Sequence, residues 1–447
     1  MKLNELKHIE LKTKNWATIF ILNKWEVIDS ENEAMLQALH SRSIWWIKEH
    51  LKILEEKWSD KFMSSFYVWY WHKSIWDCGS MTIFIEWISM LAAKAIQDSK
   101  LYNWQEASTR YIDFSEQEMI NIIWNEKWNL ILEKQRNFYL EILPIIEENL
   151  KKIFSKKEEE KQWMYDKAIK AKAFDIARWF LPAWTSTNLA WHSNLRQIAD
   201  RILYLRNHPL QEVKDIAETL QEALIKKYPN SFSHKKYEET ENYVKNISNN
   251  YYYHNKNTNT IKILTDNIEK KELEKHIEIY NSRPNSKTEL PVWLNNDWII
   301  KCEFLLDFGS FRDLQRHRAI NQRMPLLTDE LWFNEWYFSQ LPVKILKKTK
   351  KYLEELKNLT NKLNLSKEER QYYIPMWYNI SNQISWTLPA MIYMLELRST
   401  QFVHPTLRLI AQNIWKYLEK THKIKLFVEH TNYDFDVNRG KHDIILK

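Results

Sequence analysis

A strand-like run that feeds directly into a helix cap occurs twice in this chain, and this recurrence limits what it can fold into. Met81–Glu86 is rich in β-branched and aromatic residues and reads as a strand. Ser89 stands at the N-cap position before the helix-favouring run MLAAKAIQ. Further on, Ile299–Leu306 reads as a second strand, followed by Asp307 and a helix, FGSFRDLQRHR. Asp307 precedes Arg316 by nine residues, as Ser89 precedes Asp98. RQYYIPMW at 370–377 parallels ARWFLPAW at 177–184, and Glu396-Leu397-Arg398 parallels Tyr204-Leu205-Arg206. Ser155-x-x-Glu158 and Ser366-x-x-Glu369 are capping boxes expected to open equivalent helices. The pattern reads as a tandem duplication. One repeat spans 1–228 and a second 261–447. Between them, 229–260 contains SNNYYYHNKNTNT, a polar low-complexity stretch expected to be an unstructured linker.

The remaining elements follow from local pattern. Ala17–Leu22 reads as a strand, and Glu33–His40 and Ile47–Lys57 as helices. Ser41–Ser43 and the two residues after Ile44 read as a loop, with a phosphate nest as the sharper alternative. Ser115-x-x-Glu118 opens a helical stretch to about Leu150, interrupted near Pro144. Lys151–Lys161 reads as a solvated charge run. Ile198, Ile202 and Leu205 form one apolar stripe, and Val213, Ile216, Leu220 and Leu224 another, with Pro209 starting the second helix. His192 and His208 read as structural.

One pair of counts is abnormal. The chain has 3 glycines and 23 tryptophans, 26 together, whereas ordinary usage predicts about 31 glycines in a chain of this length. Many tryptophans stand where glycine is natural, including Trp45, Trp46, Trp69, Trp71, Trp76 and Trp179. Forcing an indole into a glycine site costs roughly 1–3 kcal/mol by overpacking, and about 1–2 more where φ must be positive. A score of such sites exceeds the ~5–15 kcal/mol that holds a domain folded. Most or all of these tryptophans are therefore expected to be glycines, from a gene that reads UGA as glycine and is translated here as tryptophan. The rival is a Trp-rich protein that stacks bases or sugars.

Two cysteines, Cys78 and Cys302, exclude a disulfide scaffold and a Cys-rich metal site, and no metal is expected. No signal pattern opens the chain and no apolar run reaches the ~20 residues needed to span a bilayer. Glu86 and Lys94 break the nearest approach, Met81–Ile96. A cytoplasmic protein without a membrane partner is expected. The formal charge of +7 suits anionic small ligands or nucleic acid, or is simply that of a Lys-rich soluble protein.

Glu106, Ser108 and Arg110 alternate, so in extended chain all three face one way and can converge on a phosphate-bearing ligand, or form an ordinary polar strand edge. With His72-x-Ser74-x-x-Asp77 ahead of the strand and helix, and Gln105-Glu106-x-Ser108-x-Arg110-Tyr111 behind them, the stretch resembles the flavin-dependent thymidylate synthases. That family carries His-x-Ser/Thr-x-x-Glu, then Arg-His-Arg-x-x-Ser-x-Asn-Glu-x-Ser-x-Arg-Tyr. In the first repeat the Arg-His-Arg position holds Asp98-Ser99-Lys100, but the second repeat has Arg316-His317-Arg318 in register. The second repeat in turn has Met324-Pro325-Leu326 in place of Glu-x-Ser-x-Arg, and Gln371 in place of Arg178. The family's Ala-Arg-x-x-Leu-Pro, Asn-x-Arg and Leu-Arg elements fall on Arg178, on Asn194 and Arg196, and on Arg206. The interval from Arg196 to Arg206 is one residue longer than the family's. Glycine is the family's residue at Trp71 and often at Trp87.

The resemblance implies an α+β fold in each repeat, with helices around an antiparallel sheet. It also implies reductive methylation of dUMP to dTMP with FAD, NADPH and methylenetetrahydrofolate, in a homotetramer whose sites are shared between subunits. Glu106, Ser108, Arg110 and Arg178 would hold dUMP. Arg206 would face the uracil as the catalytic group that stabilises developing negative charge. His72, Ser74, Asp77, Asn194, Arg196, Arg316, His317 and Arg318 would hold FAD. Arg398 would be the counterpart of Arg206. With complementary losses in the two repeats, a homodimer would form a pseudo-tetramer with composite sites. Two other readings stay open: a non-catalytic flavin- or nucleotide-binding relative, and a basic, aromatic-rich nucleic-acid binder.

Overall fold

The computed structural model describes residues 8–22, 29–41, 47–56, 73–107, 114, 126–233, 236–250, 261–284, 288–295, 298–400 and 403–427. The chain forms two compact units, Met1–Ala107 with Ser186–Tyr252, and Ser108–Thr185 with Tyr253–Lys447.

The first unit holds a five-stranded sheet. Its strands are β1 (His8–Lys12), β2 (Thr18–Leu22), β3 (Ser80–Ser89), β4 (Asn103–Glu106) and β5 (Ser186–Asn194), in the order β1-β2-β3-β5-β4. Every pairing is antiparallel. Alternation in β3 buries Met81, Ile83 and Ile85 on one face. Helix Met90–Ile96 follows, capped by Ser89, whose side chain accepts from Ala92 N. Its residues are all buried, because it lies inside the layer formed by the helices that follow β5. Those helices, Leu195–Arg206 and Gln211–Lys227, bury the two stripes that their periodicity predicts. The second begins two residues after Pro209, with Leu210 as its N-cap. Part of the expected linker is ordered as helix: Pro229–Phe232 and Glu238–Asn250. Three glutamates in the first turn favour the second of these through the helix dipole, and Val244 buries against the unit.

The second unit holds β6 (Lys262–Asp266), β7 (Ile299–Asp307) and β8 (Asn379–Thr387), antiparallel in that order. Asp307 caps helix Phe308–Gln315 as Ser89 caps its counterpart. That helix stops at Gln315, so Arg316 is its C-cap and His317 and Arg318 lie beyond it. Helix Glu126–Ile153 runs unbroken through Pro144, against the expected interruption. Burial of Tyr139, Ile142, Ile146 and Leu150 along one stripe offsets the ~3 kcal/mol cost of an internal proline. The box at Ser366 and Glu369 forms, on the short helix Lys367–Arg370. The one expected at Ser155 does not open a helix: the next helix is Gln162–Ala177, with Lys161 as N-cap.

Within this unit the two -Leu-Pro-/-Ile-Pro- segments pair with each other. Pro182 and Pro375 form an antiparallel bridge. Ala183 N donates to Ile374 O at 3.0 Å, and Met376 N donates to Leu181 O at 3.1 Å. Phe180 lies 4.0 Å from Trp377 between ring centroids, and Trp184 lies 5.5 Å from Tyr373. With Arg178 aligned to Gln371, each contact is the other with its partners exchanged, the signature of a two-fold interface. Antiparallel helices Glu126–Ile153 and Val343–Asn361 follow suit, through Lys134–Glu355, Lys348–Glu141 and Lys344–Glu148.

The tryptophans sit in two kinds of unusual place. Among the described residues, positive φ is found at Trp16 (73°), Trp87 (60°), Trp332 (63°) and Lys423 (55°). A bulky L-residue there costs about 1–2 kcal/mol. Trp16 closes the β1–β2 hairpin, in which Thr13 N donates to Ala17 O. Trp87 sits in the bulge between Ile85 and Ile88 of β3. Elsewhere, the indole N–H groups of Trp184, Trp377 and Trp386 are buried without a hydrogen-bond partner, each at about 1–3 kcal/mol. Cys78 and Cys302 are free thiols. Among the described residues no helix is long and apolar enough to cross a membrane.

Candidate functional site

Ten of the sequence-derived site residues are described. His72, Ser108 and Arg110 lie outside the described residues, as do the box at Ser115 and the loop around Trp45 and Trp46.

In the first unit the residues fall at three places. Glu106 ends β4 opposite Leu189 of β5. Its carboxylate is 2.6 Å from the Lys94 ammonium, and both side chains are fully buried. Gln97 donates to the same carboxylate oxygen at 3.3 Å, and the Trp104 ring lies 5.0 Å from the lysine nitrogen. Losing one partner of such a pair would strand a buried charge at about 3–5 kcal/mol. Lys94 was invisible as a partner because it reads as an ordinary helix lysine.

The second place is the other end of β5, about 17 Å along the strand. Arg196 Nε donates to Asp77 Oδ1 at 2.8 Å in a half-exposed ion pair. This hydrogen bond holds the guanidinium pKa above its ordinary value. Asn194 caps helix Leu195–Arg206 by accepting from Gln197 N at 2.8 Å, and Ser74 is exposed on the short helix Lys73–Trp76. His192 and His208 have local structural partners, Thr82 and the backbone N of Leu210.

The third place is the far end of that helix. Arg206 Nε donates to Glu241 Oε2 at 3.0 Å, and its Nη2 pairs with Glu241 Oε1. Its Nη1 donates to Gln221 Oε1 at 3.0 Å. Burial raises the Glu241 pKa, but hydrogen bonds from Arg206 and Asn207 outweigh it and hold the carboxyl below its ordinary value. Glu241 lies in the stretch read as linker, where no motif marks it. Between the places, Glu212 accepts from Ser89 N at 2.8 Å and Ser89 Oγ at 2.6 Å, tying the cap to helix Gln211–Lys227.

The second unit gathers Arg178 and the Arg-His-Arg segment. Arg178 is buried and its Nη2 lies 2.6 Å from Asp175 Oδ1. Its field reaches Tyr337, whose phenol donates to Asp307 Oδ2 at 3.0 Å and is held far above its usual pKa, chiefly by burial. From the Asp307 cap, helix Phe308–Gln315 leads about 12 Å to Arg316. His317 is buried between exposed Arg316 and Arg318 and accepts from Arg398 Nε at 2.8 Å. Burial first, then the Arg398 charge, lowers its pKa to about 3, so the imidazole is neutral. The donor set of Arg316, Arg318 and Arg398 around a neutral acceptor suits a diphosphate-bearing cofactor. At the position of Arg178, Gln371 instead accepts from Leu327 N at 3.0 Å. Met324, Leu326 and Leu327, which stand in sequence where a Glu-x-Ser-x-Arg segment would fall, are buried.

Residues 26–230 match the family described as Thymidylate synthase complementing protein. This stretch of the chain is thus similar to the flavin-dependent thymidylate synthases that its motifs resemble. UPF0159 proteins of Chlamydia pneumoniae and Chlamydia muridarum are each 24% identical to it, over 438 and 439 residues. These matches cover 82% and 83% of this chain and 80% and 81% of theirs. Thymidylate Synthase X from Helicobacter pylori, solved with FAD and dUMP, is 18% identical, with a TM-score of 0.28. The match covers 47% of this chain and 93% of that one.

Proposed function

We propose that this protein is a flavin-dependent thymidylate synthase built from two fused, diverged repeats, 1–228 and 261–447, and that it methylates dUMP reductively to dTMP. The observation that carries this reading is the two-fold pairing of Arg178–Thr185 with Gln371–Tyr378. Arg178 and the segment Arg316-His317-Arg318 lie in one compact unit, which supports the reading. A cap that opens the helix after the strand in both halves favours a common origin for the repeats: Ser89 accepts from Ala92 N in one, and Asp307 accepts from Ser310 N in the other.

FAD supplies the redox chemistry when bound. Arg316 and Arg318 hold its phosphates, and His317 stays a neutral hydrogen-bonding group beside them; His72, Ser74, Asp77, Asn194 and Arg196 belong to the flavin side of the first repeat. Glu106, Ser108, Arg110 and Arg178 bind dUMP. Arg206 stabilises negative charge on the uracil, since a guanidinium stays protonated at any working pH. NADPH and methylenetetrahydrofolate are the co-substrates. The second repeat, with Gln371 for Arg178 and an apolar segment for Glu-x-Ser-x-Arg, holds no nucleotide of its own, so a homodimer forms a pseudo-tetramer with fewer than four working sites.

The test is a flavin spectrum of the full chain, made with glycine at the tryptophan positions. Anaerobic reduction and addition of dUMP and methylenetetrahydrofolate follow. Reoxidation only with both substrates, yielding dTMP, is the expected outcome; a folded, colourless protein overturns it. A second reading, a non-catalytic relative that binds flavin or nucleotide, is favoured by the internal pairing of Glu106 with Lys94 and of Arg206 with Glu241. It predicts a bound flavin without turnover.

A further inference from the structure

The helix Glu238–Asn250 belongs to no motif of the family, yet it supplies the carboxylate on Arg206. Its side chains are mostly exposed, and it is anchored by two buried residues, Val244 and Ser248, and by Glu241. Glu241 takes Arg206 side-on, through Nε and Nη2, and also accepts from Asn207 Nδ2 at 2.8 Å. A planar two-oxygen acceptor on a guanidinium fork is the geometry that an anionic or carbonyl-bearing ligand would use. In the second repeat the counterpart Arg398 donates to His317 at 2.8 Å and has Asp313 at 3.9 Å.

We infer that this helix is a built-in strap: Glu241 occupies Arg206, and a uracil nucleotide has to displace the carboxylate to reach the guanidinium. The inference rests on the role proposed for Arg206. A helix held by so few groups separates from its site at little cost, while one held by a full apolar stripe does not. Displacement frees the strap.

The strap is tested on the full chain by phenylglyoxal labelling of Arg206, read by peptide mapping, in the wild type, Glu241→Gln and Val244→Ser. Both variants are expected to label Arg206 about tenfold faster or more, the fold-change of one charge-assisted hydrogen bond. Equal labelling in all three overturns the strap. With dUMP as the probe, Glu241→Gln is expected to bind it more tightly than the wild type, and dUMP to raise hydrogen exchange in 238–250. Faster labelling without any dUMP binding leaves the strap standing and overturns the nucleotide role of Arg206. Weaker dUMP binding in Glu241→Gln makes Glu241 a positioning residue and overturns the strap.

A separate observation carries a second inference: the native residues at 16, 87 and 332 are glycines. Three of the four positive-φ residues among those described are tryptophan. Trp16 holds the left-handed position of a three-residue hairpin loop, and Trp87 the left-handed position of a bulge, both of which select glycine. All three are more than 45% exposed, so the indole area they bury is too small to select tryptophan at a left-handed backbone position. Peptide mass mapping of the chain made in its own cells is expected to find glycine at all three. Tryptophan at these positions would refute the inference, as would a triple Trp→Gly variant with a lower denaturation midpoint than the tryptophan chain.

Discussion

At the scale of single residues, His317 makes the sharpest prediction. Burial and the Arg398 charge lower its pKa to about 3, against about 6.5 in an unfolded chain. Between these values the unfolded state takes a proton that the folded state refuses, so stability rises with pH, and the contribution is fully present above about 6.5. From pH 7 to pH 5 the loss is on the order of 2 kcal/mol. Urea denaturation at the two pH values is expected to show this loss in the wild type and not in His317→Asn; equal pH dependence in both would place the group outside the buried site. Residue type and register marked His317, since Arg-His-Arg stands nine residues after a cap. Its neutrality was not legible, because it comes first from burial and then from the charge of Arg398, eighty-one positions away.

At the scale of elements, local pattern was a good guide where burial and capping agreed with it. The stripes of the two helices after β5, both strand–cap–helix joints and the box at Ser366 all form as the side chains dictate. It failed where packing overrode a local rule. Pro144 sits inside a continuous helix, and the Ser155 box caps nothing. Pro144→Ala is therefore expected to stabilise helix Glu126–Ile153, by up to about 3 kcal/mol. The measurement is the denaturation midpoint; a fall would mean that the proline fits a backbone kink the helix needs.

At the scale of the molecule, the compact units cut across the proposed repeats. Helices Glu126–Ile153 and Gln162–Ala177 come from the first repeat in sequence but pack in the unit built mainly by residues after 252. A fragment 1–228 therefore leaves their apolar faces uncovered, and 261–447 lacks the partner of its Pro375 segment. Expressed alone, each fragment is expected to be insoluble or partly unfolded; expressed together, they are expected to copurify as a folded complex. Independent folding of 261–447 with a cooperative thermal transition would count against this interleaving.

What the sequence determined by itself was local and periodic: strands that alternate, helices with one apolar stripe, caps, a repeated order of elements and the family's motifs. It also carried the anomaly of 23 tryptophans beside 3 glycines, whose conformational meaning emerged at Trp16, Trp87 and Trp332. The tertiary structure alone decided which distant polar groups meet. Lys94 on Glu106, Glu241 on Arg206 and Arg398 on His317 each join groups whose pairing depends on distance and burial in space. Ion pairing acts through a few ångströms of low-dielectric interior, and sequence spacing does not encode that distance once the chain has folded back on itself.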